Sequence, residues 1–203
     1  LEEVSKQFPD IIEYAKNVKA KEFILDAEAV AYDKKLKKHL PFQTISQRIK
    51  RKYDIKEMSK KFPVEIFLFD IIYYNGKSLM NENLEKRREL LEKITKQISK
   101  KIILTKKLVT DDENKMDDFY KESLSKGFEG LMIKNLESGY KPGRYVNGWV
   151  KLKPILEPLD LVITRADWGE GKRAKWLSSF TVACLDNNKL LEIGKVSTGV
   201  KEK

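Results

Sequence analysis

Cysteine and histidine are almost absent from this chain of 203 residues. The single cysteine, Cys184, excludes a disulfide within the chain and a zinc cluster built on cysteines, and its apolar surroundings predict a small core residue. The single histidine, His39, lies among lysines in a segment that we expect to be a polar surface loop. No catalytic triad based on histidine is therefore predicted.

Long apolar runs are also missing. No segment approaches the roughly 20 apolar residues that a membrane-spanning helix needs, and the first residues are charged and amphipathic rather than typical of a signal peptide. The composition, 41% hydrophobic and 35% charged, predicts a soluble globular protein without a membrane partner. The length allows one full domain and part of another.

The chain carries an excess of positive charge, with 41 basic and 31 acidic residues and a net charge of +10. Such an excess favours a polyanionic partner, although a lysine-rich composition also arises from thermophily or base-composition bias. Basic residues cluster at 34–38, 48–52 and 56–61. Because these clusters flank an acidic strand, a nucleic-acid surface is favoured over a merely solvated face.

Two predicted strands carry charges among apolar residues. In the segment 23–32, Asp26 and Glu28 share one strand face by alternation; an edge strand with one solvated face is the alternative. In the segment 149–153, Lys151 and Lys153 point the same way, roughly 7 Å apart. Two parallel lysines suit a phosphate, and Glu129, in the strand-like segment 129–134, suits a metal ion or a sugar hydroxyl.

The remaining elements follow from hydrophobic periodicity and turn signals. The pattern predicts helices over 8–19, 42–52, 82–98 and 111–126, and further strands over 64–74 and 102–109. After Pro154 the character changes to short strands over 160–166, 178–185 and 190–196, with a hairpin turn at 186–188. This last part is too short for a complete barrel.

Six ordered segments together resemble the ATP-dependent DNA ligases of the archaeal and eukaryotic replicative type, which are covalent nucleotidyltransferases. The segments are FILDAEAVAYD (23–33), PFQ (41–43), FLFDIIYYNG (67–76), LEKRRELL (84–91), EGLMIK (129–134) and WVKLK (149–153). The stretch WGEGKR (168–173) and the following strands are similar to the start of the family's OB domain. The resemblance covers essentially the whole chain.

The resemblance implies an α+β fold. Residues 1–154 would be the C-terminal part of an antiparallel-sheet adenylation (nucleotidyltransferase) domain, and residues 155–203 the start of an OB-fold β-barrel. No Lys-x-Asp-Gly element with the nucleophilic lysine occurs in the chain, and the final basic OB motif is also absent. We expect these elements upstream and downstream, and we expect the chain alone to be inactive.

The resemblance further implies the cofactors and the site residues. ATP is the source of AMP, and Mg²⁺ or another divalent metal is required. The implied catalytic residues are Lys151 and Lys153, which hold the AMP phosphate. Nucleotide contacts are implied for Glu28, Phe69, Glu129, Lys134, Lys151 and Lys153, metal contacts for Glu28 and Glu129, and DNA contacts for Phe42, Arg48, Lys50 and Arg51.

Some of these roles have structural alternatives. Phe69 is expected to stack on adenine, or else to be plain core. Phe42 is expected to wedge into the minor groove, or else to staple the helix that follows. Lys134 lies opposite Glu129 by strand alternation, so it is expected to point away from the phosphate.

The implied partner is nicked duplex DNA, with a sliding clamp reached through parts outside this sequence, and the implied state is a monomer. The location is expected to be intracellular, either the cytoplasm of an archaeon or a eukaryotic nucleus. Two other functions stay open at this stage. One is an RNA ligase or mRNA-capping guanylyltransferase, and the other is a non-catalytic nucleic-acid-binding module.

Overall fold

The computed structural model describes residues 2–33, 35–36, 38–40, 42–49, 53–143, 148–155 and 158–197. The chain divides into two compact units, Leu1–Lys153 and Pro154–Lys203. In the described parts of both units, no helix has the length and apolar character required to cross a membrane.

The first unit is built on a five-stranded sheet. Its two long strands, β1 (Phe23–Asp33) and β3 (Val64–Tyr74), run antiparallel to each other. Three short strands complete it: β2 (Lys38–His39) pairs with β1, whereas β4 (Lys77–Ser78) and β5 (Ile102–Leu104) pair with β3. Asn75 and Gly76, with φ of 46° and 90°, form the tight turn between β3 and β4 that the Asn-Gly pair predicts.

The β1–β3 ladder is irregular near its middle. Asp26 pairs with Asp70 but Ala27 pairs with Leu68, so Phe69 is an extra residue on β3. An extra residue of this kind bends the strand and changes where its side chain is aimed. The irregularity therefore lies beside Asp26, in the predicted acidic strand.

Helices pack against the long strands of the sheet and bury the core of this unit. The described helices of this unit are α1 (Pro9–Ala15), α2 (Phe42–Ile49), α3 (Ile55–Lys61), α4 (Leu84–Ile94) and α5 (Glu113–Ser125). Packing of α4 against β3 buries Leu68, Leu91 and Ile102 to 2% exposure or less. The Asn83 side chain caps α4 by accepting the backbone N–H of Lys86, which explains why the helix begins at Leu84.

A separate two-stranded sheet ends the first unit. It pairs β6 (Leu131–Lys134) with β7 (Trp149–Leu152) in antiparallel register, with Met132 opposite Lys151 and Lys134 opposite Trp149. Gly130, just before β6, has φ of +135°, and a Cβ there would lie 2.0 Å from the Leu152 carbonyl oxygen. Glycine is therefore required where the segment before β6 approaches the end of β7.

The second unit is a three-stranded antiparallel sheet in the order β10-β9-β8. Its strands are β8 (Val162–Trp168), β9 (Leu177–Asp186) and β10 (Lys189–Val196). Asn187 and Asn188, with φ of 46° and 62°, form the predicted hairpin turn between β9 and β10. The predicted α+β class is confirmed, and the identification of this sheet as the start of an OB barrel stays a prediction.

Candidate nucleotide site

The exposed part of β1 presents the predicted acidic residues. Asp26 is half-buried and Glu28 is exposed, and Glu28 lies directly opposite Phe67 of β3. Residues that pair across two strands share a face of the sheet. Glu28 thus lies on the same sheet face as Phe67, and the Phe69 bulge is close by.

Glu129 and Lys153 form an ion pair at the start of β6 and the end of β7. Lys153 Nζ lies 2.6 Å from Glu129 Oε2, and both side chains are open to solvent, with exposures of 53% and 84%. The hydrogen bond from Lys153 is the main cause that lowers the pKa of Glu129, and the charge of Lys151 lowers that pKa further. Lys153 and Glu129 therefore pair at a solvent-accessible point, and the charge of Lys151 acts on the same carboxylate.

Lys134 lies in an aromatic environment on the same two-stranded sheet. Its Nζ is 3.7 Å from the ring centroid of Trp149 and 4.7 Å from that of Phe69, which are cation–π distances. Burial lowers the pKa of Lys134 to about 8, while the nearby charges of Asp70 and Asp26 oppose that shift.

The strand alternation from which the orientation of Lys134 was predicted does not hold, whereas its direction relative to a phosphate stays a prediction. Trp149 and Lys151 alternate onto the same face of β7, and Lys134 pairs with Trp149, so Lys134 shares the face of Lys151. The alternation from Glu129 fails because Gly130 lies outside the strand with φ of +135°. Glu129 therefore reaches Lys153 although its sequence parity differs from that of Lys134.

Tyr140, which sequence reasoning did not single out, connects the two sheets. Its hydroxyl donates to Asp26 Oδ2 at 2.9 Å, and its ring meets Trp149 edge-on at 6.2 Å. Burial and the hydrogen bond to Asp26 raise the pKa of Tyr140 to about 12. The partner lies 114 positions away in sequence, so no local pattern signals this contact.

Arg48 is not available to DNA in this structure, which corrects its predicted role. The residue is 1% exposed. Its guanidinium pairs with both oxygens of Asp10 at 2.7 and 2.8 Å, and it also donates to the carbonyls of Gln7 and Phe62. Every one of these partners lies outside α2, so Arg48 fastens that helix to the rest of the unit.

The other predicted DNA contacts cannot be placed in the same way. Lys50 and Arg51 lie outside the described residues, as does the side chain of Phe42, whose backbone begins α2.

His39, expected in a polar loop, lies in β2 instead, and its Nε2 lies 2.8 Å from Glu65 Oε2. Glu65 is 5% exposed, so His39 partners a buried carboxylate.

The two predicted metal ligands, Glu28 and Glu129, are both exposed. Among the described residues, no group of three or more His, Cys, Asp or Glu side chains could hold a metal ion. The protein thus has no preformed metal cage in this part of the chain. Mg²⁺ typically binds through one or two carboxylates together with substrate phosphates. Glu28 and Glu129 are therefore sufficient only for an ion that a nucleotide phosphate also coordinates.

The combined arrangement suits a ligand with a planar ring and a phosphate. Phe69 and Trp149 offer aromatic surface around Lys134. Lys151 lies on β7, the strand that begins at Trp149, and Lys153 directly follows that strand, and both offer exposed positive charge. Trp149 Nε1 is buried and finds no acceptor among the described residues. A buried indole N–H without an acceptor is unfavourable, so this donor is one that the fold leaves unsatisfied.

A family model described as "ATP dependent DNA ligase domain" matches residues 1–153. Two archaeal relatives align with the whole chain. The DNA ligase of Nanoarchaeum equitans is 54% identical over 206 positions, and that of Methanococcus aeolicus is 44% identical over 203 positions. The chain spans only 36% of the length of either relative.

A solved structure shows the same fold. Mycobacterial DNA ligase D, in complex with ATP and MES, is 26% identical to this chain and superposes with a TM-score of 0.54. The match covers 98% of this chain and 58% of the mycobacterial chain.

Proposed function

The chain belongs to the ATP-dependent DNA ligase domain family, and from that premise we propose that it forms part of an enzyme that seals nicks between a 5′-phosphate and a 3′-hydroxyl in duplex DNA. The reaction proceeds through a lysyl-AMP and a DNA-adenylate. The observation that carries the proposal is the exposed group of Lys151, Lys153 and Glu129 at the two-stranded sheet that also carries Trp149, within the part that the family model matches.

Phosphoryl transfer requires charge neutralisation and in-line positioning more than acid–base groups. In the proposed site, Lys151 and Lys153 neutralise the α-phosphate of ATP and hold the AMP phosphate. Lys153 exchanges its present partner, Glu129, for the phosphate, which frees the carboxylate for the ribose or for a divalent ion bound to the nucleotide. Both side chains are solvent-accessible, so this exchange requires no rearrangement of the core.

The adenine would stack on Phe69, the extra residue at the bulge of β3. Lys134 contacts Phe69 and Trp149, so its proposed contribution is to the aromatic wall rather than to the phosphate. Glu28 is proposed as a further ribose or metal contact. The metal would be Mg²⁺ or another divalent ion, which supplies additional charge neutralisation when it is bound.

DNA contacts are proposed for Phe42, Lys50 and Arg51, with Phe42 as a minor-groove wedge and the two basic residues on phosphates. Residues 1–154 are proposed as the C-terminal part of the adenylation domain and 155–203 as the start of the OB barrel. Because the proposed substrate is nicked DNA, the proposed location is intracellular. Since the relatives above are archaeal, the proposed compartment is the cytoplasm of an archaeon. A monomeric state and a sliding-clamp partner complete the proposal.

The test uses the full-length protein that contains this chain. With ATP labelled at the α-phosphate we expect a covalent lysyl-AMP, and with a nicked duplex we expect a sealed strand. Parallel substrates with RNA on either side of the nick, and parallel labelling with GTP, separate the DNA ligase from an RNA ligase or a capping enzyme. Failure to form any nucleotide adduct, or transfer of GMP alone, would overturn the proposal.

A further inference from the structure

The loop between β6 and β7 is anchored by its backbone on the side where α4 begins. Tyr140 N–H donates to the Met80 carbonyl at 2.7 Å, and Arg87 donates to the Ser138 carbonyl at 3.1 Å. A Cβ on Gly139 would come within 2.9 Å of the Met80 carbonyl oxygen, so glycine is required for this close approach. Residues 138–140 of this loop are thereby fixed against Met80 and Arg87.

Arg87 is itself immobilised. It is 1% exposed and forms a two-pronged ion pair with Asp70, which is 0% exposed, at 2.8 and 3.0 Å. Its guanidinium lies 5.9 Å from the centroid of the Tyr140 ring. A buried, fully hydrogen-bonded ion pair has one geometry, so Arg87 gives Tyr140 a rigid support.

The side chain of Tyr140 then spans from β1 to β7. At one end its hydroxyl donates to Asp26 of β1, and at the other its ring packs edge-on against Trp149, the first residue of β7. Lys151 lies two residues further along β7 on the same face. Through Tyr140, one hydroxyl–carboxylate hydrogen bond thus links β1 to β7, the strand that carries Lys151.

We infer that Tyr140 is a positioning residue. Through its hydrogen bond to Asp26 it holds β7, the strand that carries Lys151, in place relative to β1 and the rest of the nucleotide site. The inference rests on the proposed function and deepens it. Asp26 acts as the acceptor that fixes Tyr140, and its carboxylate oxygen Oδ2 is used for that bond rather than for a ligand. The pKa of Tyr140, raised to about 12, keeps the hydroxyl protonated, and thus a donor, at neutral pH.

Two single variants in the full-length protein test this inference, Tyr140→Phe and Asp26→Ala, together with the double variant; alanine is used because asparagine would keep an acceptor for the Tyr140 hydroxyl. We expect each to slow lysyl-AMP formation about tenfold, less than the roughly 100-fold that a misplacement by about 1 Å can cost. The KM for ATP should stay within about twofold, because Phe69 and the lysines are intact. Since both variants remove one interaction, the double variant should be no slower than either single variant.

Tyr73→Phe is the matched control. The Tyr73 hydroxyl also donates to a carboxylate, that of Glu22 at 3.2 Å, but this bond does not involve the loop or β7. Tyr73→Phe is expected to match the wild type in rate. The positioning role would be overturned if the Tyr140 and Asp26 variants formed lysyl-AMP as fast as Tyr73→Phe does. It would also be overturned if the loss in the double variant were the sum of the two single losses in free energy.

Hydrogen exchange tests the geometric part without any dependence on activity. The amides of β7 should exchange several-fold faster in Tyr140→Phe than in the wild type, while those of β9 are unchanged. Unchanged protection of β7 would overturn the inference even if the wild type forms lysyl-AMP. If the wild type forms no adduct, the proposed function fails, and the exchange of β7 still decides whether Tyr140 positions the strand.

Discussion

Charged residues of the first unit occupy two contrasting environments. Arg48 and Arg87 are buried, and each is paired with an aspartate through two hydrogen bonds. Lys153 and Glu129 also form a pair, but in contact with water. Burial makes a pair costly to break, whereas exposure makes it easy to exchange. The buried pairs therefore stabilise the fold, and the exposed pair is available for a ligand.

Arg48→Ala is expected to destabilise the protein by about 3 kcal/mol, because it leaves Asp10 and two carbonyls without their partner. Denaturant unfolding measures this loss. Arg165→Ala, which removes an exposed ion-pair partner of Asp167, is the control and should change stability by less than about 1 kcal/mol. A stable Arg48→Ala protein whose only defect is weaker DNA binding would restore Arg48 to the DNA surface.

Lys134 should make stability depend on pH. Its pKa is lowered in the folded state to about 8 from the ordinary value of 10.5, so between these values the unfolded chain binds more protons than the folded one. Stability from this group therefore rises as the pH increases through that window. Lys134→Met should remove the rise, and an NMR titration of the side chain should give a midpoint near 8. A midpoint near 10.5 would contradict the buried placement.

At the scale of elements, local patterns predicted the long strands best. The expected strand over 64–74 matches β3 in full, because its apolar run lies between strong turn signals. The expected strand over 102–109 is shorter, since β5 pairs with only three residues of β3. The helix α3 was not predicted because its lysines resemble a charge cluster, although Met58 anchors it in the interior.

Gly130→Ala should disrupt the β6–β7 ladder and with it the Lys153–Glu129 pair. The new Cβ would lie 2.0 Å from the Leu152 carbonyl oxygen, a clash with backbone that no side-chain movement relieves. Gly143→Ala is the control, because Gly143 also has a positive φ, +125°, but nothing within 4 Å of the added carbon. We expect hydrogen exchange of β6 and β7 to increase far more in Gly130→Ala. Similar exchange in the two variants would show that the positive φ, and not the clash with the Leu152 carbonyl, causes the loss of protection.

The role of α2 is tested through its first residue. In the full-length protein, Phe42→Ala should weaken nick sealing about tenfold or more, within the few kcal/mol that a wedge contributes to unstacking a base step. Lysyl-AMP formation should be nearly unchanged, because that step requires ATP but no DNA. An equal loss in both steps would place the side chain in the core of the unit.

At the scale of the whole chain, the family resemblance located most of the proposed site, and the structure added how its parts are joined. The lysines of 149–153 and Glu129 carry recognisable sequence signals. Tyr140 carries none, because its partner Asp26 lies 114 positions away. Arg87 and Asp70 lie in two of the family segments, but the sequence does not show that they pair across 17 positions. The orientation of Lys134 also required the structure, since one glycine conformation breaks the strand alternation on which the prediction relied.

The central claim is that Lys151 and Lys153 hold the phosphate of AMP, and the rate of lysyl-AMP formation in the full-length protein tests it most directly. Lys151→Ala and Lys153→Ala should each lower this rate by about 100-fold or more, the usual cost of losing one contact to a charge that develops in the reaction. Lys189→Ala, on the exposed strand β10, should leave the rate unchanged. Rates within about twofold of wild type in both lysine variants, with the proteins folded, would contradict the account.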